Sequence, residues 1–248
     1  MRVYFLGCAG WIPNQDETSC FMVELRDQLF LLDAGTGVSN LFGHKDVLER
    51  YDRITVLLSH YHLDHIIGLI YLLPHLKGKS LHIYGPGVPC YEDTTEGILE
   101  RLLQPAFFSR PLREFCGEVR CFDYAGLDFT VDGIPVGVVP QRHSAPSFRL
   151  TLDNKLIYAT DTAFDPSDWR GDYRGMTLLH ECWDVVSRAE SKHTSAEGLL
   201  EGLPPELLRS TYLIHKNPEW TTGDYDALQR IAEAKGAHVA CDGMILEI

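Results

Sequence analysis

Short apolar runs separated by polar, glycine-bearing connections recur along the whole chain. Residues 2–6, 20–25, 28–32, 54–58, 80–84, 136–139, 156–159, 176–179, 211–214 and 238–240 are rich in Val, Ile, Leu, Phe and Tyr, the pattern of buried strands. Between them lie stretches of helical periodicity at 64–75, 94–103, 194–201 and 225–235. The last is followed by Gly236, a residue suited to the left-handed turn that ends helices. Strands before, between and after helices predict a layered α/β fold rather than two separate units. No low-complexity tract, charge block or linker-like composition interrupts residues 1–248, so one domain is expected. The Pro-rich, aromatic segment 85–117 is the hardest to place.

The residues just beyond the strands are more informative than the strands themselves. The run at 54–58 leads into His60, His62, Asp64 and His65, and 136–139 leads after a short link to His143. The run at 156–159 meets Asp161, 176–179 meets His180 and Glu181, 211–214 meets His215, and 28–32 meets Asp33. Loops beyond the carboxyl ends of strands converge in open α/β sheets, so His, Asp and Glu at six such ends suggest an assembled metal site. In an extended segment residues two apart point the same way, so His60 and His62 could grip one ion. Asp64 and His65 diverge from that pair at the start of a helix and could serve a second. Catalytic sites want three or more protein ligands and an open position. His143 could complete the first set, His215 the second, and Asp161 could bridge them. Two ions could then stabilise both attacking and leaving oxygens of a displacement.

Composition narrows the setting. With 45% hydrophobic and 23% charged residues the chain reads as soluble and globular. It has no apolar run of the roughly 18 residues that a membrane span needs, and no signal-peptide core precedes the small residues at its N-terminus. Seven cysteines without a CxxC argue against a disulfide framework or a cysteine zinc cluster and for a reduced, cytoplasmic protein with Cys116 and Cys121 as free thiols. The net charge of −13 counts against a broad nucleic-acid footprint, although two divalent ions would concentrate four positive charges at one place.

The HxHxDH motif, here His60-Tyr61-His62-Leu63-Asp64-His65, resembles that of the metallo-β-lactamase superfamily. LGCAGWIP and LLDAGTG are similar to its N-terminal glycine turn and second-strand Asp-Ala-Gly, and His143, Asp161 and His215 fall where its later ligands fall. The resemblance implies a four-layered αββα sandwich with a dinuclear site at one edge. Within the superfamily, Leu179-His180-Glu181-Cys182 and Lys192-His193-Thr194-Ser195 resemble the His-Glu-Ala-Thr and Ala-His-Ser-Thr motifs of the ribonuclease Z group, with Cys-Trp in place of Ala-Thr and Lys in place of Ala. By that resemblance His193 is a general acid or transition-state stabiliser and Glu181 its orienting partner. Thr194-Ser195-Ala196-Glu197 also reads as a capping box, which puts His193 immediately before a helix.

Arg142, Lys192 and Lys216 flank His143, His193 and His215 in sequence and are expected either to draw an anionic substrate to the site mouth or merely to solvate loops. Asp33 is expected to hold loops through backbone amides, and His44, His75, His82 and His238 show no ligand spacing. His180 is a neighbour of the site rather than a ligand. The basic, glycine-rich arm with which ribonuclease Z enzymes hold tRNA has no counterpart between Gly85 and His143; residues 104–111 (Gln-Pro-Ala-Phe-Phe-Ser-Arg-Pro) look like a lid or pocket wall.

The leading expectation is a phosphodiesterase with two divalent ions, acting on a small anionic phosphodiester such as a cyclic nucleotide by attack of metal-bound hydroxide. Asp64 would orient or deprotonate the water as well as bind metal. The alternatives are a tRNA 3′ processing endonuclease lacking its exosite arm, a thioester or lactone hydrolase, and a non-catalytic binder. Five histidines and two aspartates suit Zn2+ best, with Mn2+ or Fe2+ also accommodated. A homodimer is implied only by the resemblance.

Overall fold

The computed structural model describes residues 1–105, 107–109, 111–114, 116–188 and 191–248. Its strands are β1 (Arg2–Gly7), β2 (Cys20–Leu25), β3 (Gln28–Leu32), β4 (Arg53–Leu57), β5 (Ser80–Gly85), β6 (Glu118–Asp123), β7 (Phe129–Val131), β8 (Ile134–Gln141), β9 (Ser147–Leu152), β10 (Leu156–Ala159), β11 (Thr177–Glu181), β12 (Thr211–Ile214), β13 (His238–Val239) and β14 (Ile245–Glu247). They form two seven-stranded sheets, ordered β14-β1-β2-β3-β4-β5-β6 and β13-β12-β11-β10-β9-β8-β7. Each is mixed: β3 to β6 run parallel in the first, and β10 to β13 in the second.

The layering follows from the period of two along each strand, which sends successive side chains to opposite faces. Along β3, Phe30 and Leu32 enter the core between the sheets, while Leu29 and Leu31 face the outer core with Val38, Leu41, Ile66, Leu69 and Leu72. Along β10, Leu156 and Tyr158 face inward, whereas Ile157 and Ala159 join Leu199, Leu200, Leu228 and Ala232 on the far side. Those last four residues lie on the helices Ala196–Gly202 and Thr222–Lys235. The result is an αββα sandwich in which strands carry residues buried on both faces. Each fully buried aliphatic or aromatic side chain contributes about 1.5–3 kcal/mol, so the inter-sheet core is what holds the parallel strand ends of the two sheets in one register.

Four strands escape the apolar-run reading. In β9 the sequence Ser-Phe-Arg-Leu-Thr-Leu alternates, and Phe148, Leu150 and Leu152 all point inward. The strand β6 is an edge strand whose exposed positions are charged, as edges require. β7 and β14 are three-residue edge strands. The helix expected at 64–75 is broken. It consists of Leu63–Ile66, Leu69–Leu72 and a 3-10 turn Leu73–His75. The break lies at Ile67-Gly68, where the Gly68 amide donates to the Ala34 carbonyl (2.8 Å) and the Ala34 amide donates to the His65 carbonyl (2.7 Å). The chain leaves the helical path to lace the histidine motif to the end of β3. Helix Thr222–Lys235 starts three residues earlier than expected, with a capping box of Thr221 and Asp224, and ends at Gly236 with φ 76°.

The segment 104–111 does form a pocket wall, but not at the histidines. Leu103, Gln104, Pro105 and Pro111 border a cavity of about 380 Å³ against helix Thr95–Leu102 and strand β6, and no candidate site residue lines it. Ala106 and Arg110 of that segment lie outside the described residues.

A Cβ on Gly68 would stand 1.8 Å from the Gly35 carbonyl oxygen. Gly68→Ala is therefore expected to lose about 1–3 kcal/mol, the usual range for overpacking, in urea unfolding. An unchanged midpoint would mean that the Gly35 and Gly68 segments move apart freely.

Candidate metal centre

Three strand-end residues with left-handed backbone turn their side chains into one volume: Asp33 at φ 54°, Asp161 at 48° and His215 at 49°. Such conformations are costly for non-glycine residues and gather at functional sites. Around them the structure brings together all seven candidate ligands in two groups, His60, His62, His143 and Asp161 on one side, and Asp64, His65 and His215 on the other; a third group, Asp161, His193 and His215, overlaps both. Asp161 faces both. Its Oδ2 lies 3.7 Å from His60 Nε2 and 3.4 Å from His143 Nε2, and its Oδ1 lies 3.1 Å from His65 Nε2 and 3.0 Å from His215 Nε2. Asp64 Oδ2 stands 3.3 Å from both His65 Nε2 and His215 Nε2, and His143 Nε2 lies 3.2 Å from His62 Nδ1.

These residues fit a metal. Ring nitrogens face ring nitrogens, and the buried His60 Nε2 has no hydrogen-bond partner. Four tetrahedral donors at the zinc–nitrogen distance stand about 3.3 Å apart, close to the separations here. Burial, then His65, pushes the His60 imidazole well below its ordinary pKa, which frees its lone pair, whereas for His65 and His215 burial is outweighed by the Asp64 and Asp161 carboxylates, which raise both rings and hold protons that an ion would replace. Burial works against the charge on Asp161, but His215, His65 and His60 outweigh it and hold the carboxyl well below the usual range.

Asp33 does more than tie loops. Its buried carboxylate accepts from the Ser59 amide and hydroxyl (2.7 Å each), from His65 Nδ1 (2.7 Å) and from the Tyr158 hydroxyl (2.6 Å). It thereby fixes the His65 ring with Nε2 turned toward Asp161 and Asp64. The Trp11 amide donates to Asp64 Oδ2 (2.8 Å), and the Gly10 backbone packs so closely on the His215 ring that a Cβ there would lie 2.5 Å from ring atoms. The glycine turn is legible in the sequence; the amide it delivers to Asp64 is not.

On the β11 side, the fully buried Glu181 accepts from His193 Nδ1 (2.8 Å) and from the amides of Thr162 (2.7 Å) and Thr194 (3.2 Å). Burial opposes ionisation of Glu181, but His193 and His215 hold its carboxyl below its ordinary value; burial likewise opposes a charged His193, and Glu181 outweighs it. The His193 ring lies 5.4 Å from that of His143 and 6.3 Å from that of His215, and one of its nitrogens is within 4.8 Å of donor atoms on Asp161 and His215. The helix after it is capped by Ser195, not Thr194: the Ser195 hydroxyl accepts from the Gly198 amide, while the Thr194 hydroxyl donates to the Thr162 carbonyl. Thr194 is needed in the site wall, so the cap moves one residue on.

Two of the flanking cations do not serve the mouth. Lys216 is buried with its ammonium on Asp16 (2.7 Å) and the Ala240 carbonyl, and Arg142 pairs with Asp165 and Asp168. Lys192 is exposed. His180 is fully buried, with Nδ1 donating to the Glu181 carbonyl (2.9 Å) and its ring among Phe164 and Trp169. His44, His75, His82 and His238 join none of the donor groups found among the described residues.

Carboxylates that orient ligating histidines are worth about 10–100-fold in metal affinity. Asp33→Asn is expected to weaken metal binding by that order in calorimetric titration; unchanged affinity would mean that packing alone holds His65.

Comparison with known proteins agrees with this geometry. The chain is 29% identical over 160 residues to ribonuclease Z of Porphyromonas gingivalis, covering 62% of this chain and 46% of that one. It is 43% identical over 122 residues to the probable metallo-hydrolase YhfI of Bacillus subtilis, covering 42% and 49%. It thus spans about half the length of the curated relatives it matches. The crystal structure of YhfI, a metallo-β-lactamase fold protein, superposes with a TM-score of 0.74 at 19% identity, over 100% of this chain and 99% of that one. A diphosphatase of the PhnP family superposes with a TM-score of 0.70 at 18% identity, over 100% and 97%. These likenesses establish the metallo-β-lactamase fold. The family described as anti-Pycsar protein Apyc1 matches residues 1–234, a span that holds every residue of the metal centre and of the Glu181–His193 pair, and the chain belongs to that family.

Proposed function

We propose that residues 1–248 form one hydrolase domain, a dinuclear metal-dependent phosphodiesterase acting on a small phosphodiester such as a cyclic nucleotide. His60, His62, His143 and Asp161 would hold one divalent ion, and Asp64, His65, His215 and Asp161 the other; the nitrogen-rich donor set favours zinc over manganese or iron. Ions held there would supply positive charge to the phosphoryl oxygens and acidify a water nucleophile.

The observation that carries the reading is the His193 ring, anchored through Nδ1 on a buried carboxylate and set beside both donor groups. With Nδ1 committed to Glu181, Nε2 is the nitrogen left to donate a proton to a departing oxygen. Glu181 keeps that tautomer because its other oxygen is held by two backbone amides. Asp64, tied by the Trp11 amide, would orient the water. A thiolate departs without such an acid, so the Glu181–His193 pair supports an oxygen leaving group, as in a diester, over a thioester. The seven free thiols support a reducing, cytoplasmic setting, and no helix among the described residues is long and apolar enough to cross a membrane.

Cleavage of tRNA precursors is the second reading, favoured by the sequence likeness to a ribonuclease Z. Against it stand the net charge of −13 and the engagement of Arg142 and Lys216 by carboxylates.

The test is turnover of bis(p-nitrophenyl) phosphate by metal-loaded protein, with a thioester, a lactone and a pre-tRNA assayed in parallel. Chelation is expected to abolish diester turnover, and His193→Ala, assayed also on a cyclic nucleotide whose leaving oxygen needs a proton, to lower that turnover by roughly 10²–10⁴-fold, the usual worth of an acid catalyst. Silence on diesters with activity on an acyl substrate would overturn the reading.

A further inference from the structure

The His193 ring is placed by its two side-chain torsions, and a single hydrogen bond tolerates a broad range of angles. The Glu181 contact at Nδ1 therefore tethers the ring but still lets its plane, and with it Nε2, rock. The missing constraint is supplied by Trp183. Its indole stacks on the His193 ring with centroids 4.9 Å apart and planes inclined by 27°. The contact is stiffened from both sides of the pair. The amides of Trp183 and Asp184 both donate to the Thr194 carbonyl (2.9 and 3.2 Å), and the Ala196 amide returns to the Asp184 carbonyl (2.8 Å). The His193 amide donates to the Ser191 hydroxyl (3.2 Å), itself bonded to the Asp184 carboxylate (2.9 Å). An isolated β-bridge between Asp184 and Ser195 locks the segments together. The indole also reaches the His215 ring, but at 5.7 Å and 36°, a looser contact.

We infer that Trp183 is the positioning residue that fixes the plane of His193 and so aims its Nε2 at the leaving oxygen. Trp183 touches no reacting atom in this role; it acts through His193. In the sequence motif it occupies the place where the ribonuclease Z group's His-Glu-Ala-Thr has threonine. The inference rests on the proposed phosphodiesterase reading and extends it to the residue that makes the acid directional.

Aromatic face contacts of this kind depend on the ring and not on bulk, so Trp183→Phe and Trp183→Leu separate stacking from packing. The substrates are the p-nitrophenyl and phenyl esters of thymidine 5′-monophosphate, which share a phosphoryl centre but differ in how much the leaving oxygen needs a proton. Trp183→Leu is expected to lower kcat on the phenyl ester by about 10-fold or more, with the p-nitrophenyl ester and both KM values changed by less than about 3-fold, and Trp183→Phe to restore most of the loss. In the metal-free protein, the His193 Hε1 proton resonance, identified by its disappearance in His193→Ala, is expected at a ring-current-shifted position that Trp183→Leu abolishes and Trp183→Phe largely keeps. Equal losses on the two esters would overturn the inference, as would failure of phenylalanine to rescue. Loss of metal content in Trp183→Leu would also overturn it, by showing that Trp183 acts on His215. His193→Ala, run in parallel, separates the two levels. If His193→Ala itself shows no preference between the esters, the acid assignment fails and the inference with it; if His193→Ala discriminates and Trp183→Leu does not, only the role of Trp183 fails.

Discussion

Everything at this site depends on the two-sided Asp161 carboxylate. Hydrogen bonds alone leave this gathering of five imidazoles and two carboxylates unsettled: His65 Nε2 meets Asp64, Asp161 and His215 at once, at 3.3, 3.1 and 3.3 Å, and the buried His60 Nε2 has no partner. Asp161 resolves the crowding by presenting one oxygen to each donor group. Because buried charge carries a large desolvation cost unless it is compensated, the same carboxylate that organises the donors also favours positive charge among them. Its left-handed backbone just past the end of β10 is what brings both oxygens to bear.

Asp161 sits at the end of a strand in the second sheet, and the His60–His65 motif at the end of a strand in the first. Neither sheet alone carries the site. The register between them is set by the inter-sheet core, where Phe21 packs on Tyr158 at 5.5 Å. Tyr158 then delivers its hydroxyl to Asp33, which holds His65. A core aromatic thus ends in a polar tip at the candidate metal centre, and the packing of the sandwich is transmitted to His65 by one hydroxyl.

How much of this the sequence discloses depends on the range of the interactions. The strand ends bearing His60, Asp161 and His215 are legible because burial and the adjoining polar residue are local. The HxHxDH spacing is legible because i and i+2 share a face. Interactions across long separations leave no local trace: Asp33 with Tyr158 is 125 residues apart, Trp11 with Asp64 53 residues, and Lys216 with Asp16 200 residues. For that reason Asp33 reads as a loop tie and Lys216 as a cation of the mouth or of a solvated loop, not as a buried ion pair. The break at Gly68 is hidden for another reason, since glycine in a helical pattern signals a weak helix but not the backbone that will press against it. Strand β9, by contrast, carries a readable alternation that a search for continuous apolar runs passes over.

For the anionic diester proposed as substrate, the burial of Lys216 and the engagement of Arg142 bear on its arrival. With those cations turned away, the outer field of this acidic chain works against an anion until it is within reach of the centre itself, where short range and low dielectric dominate. Encounter is then uphill at a distance and downhill at contact. Added salt, which screens the distant repulsion over about 10 Å at 0.1 M more than the close attraction, should hasten capture, the reverse of what a basic mouth would give.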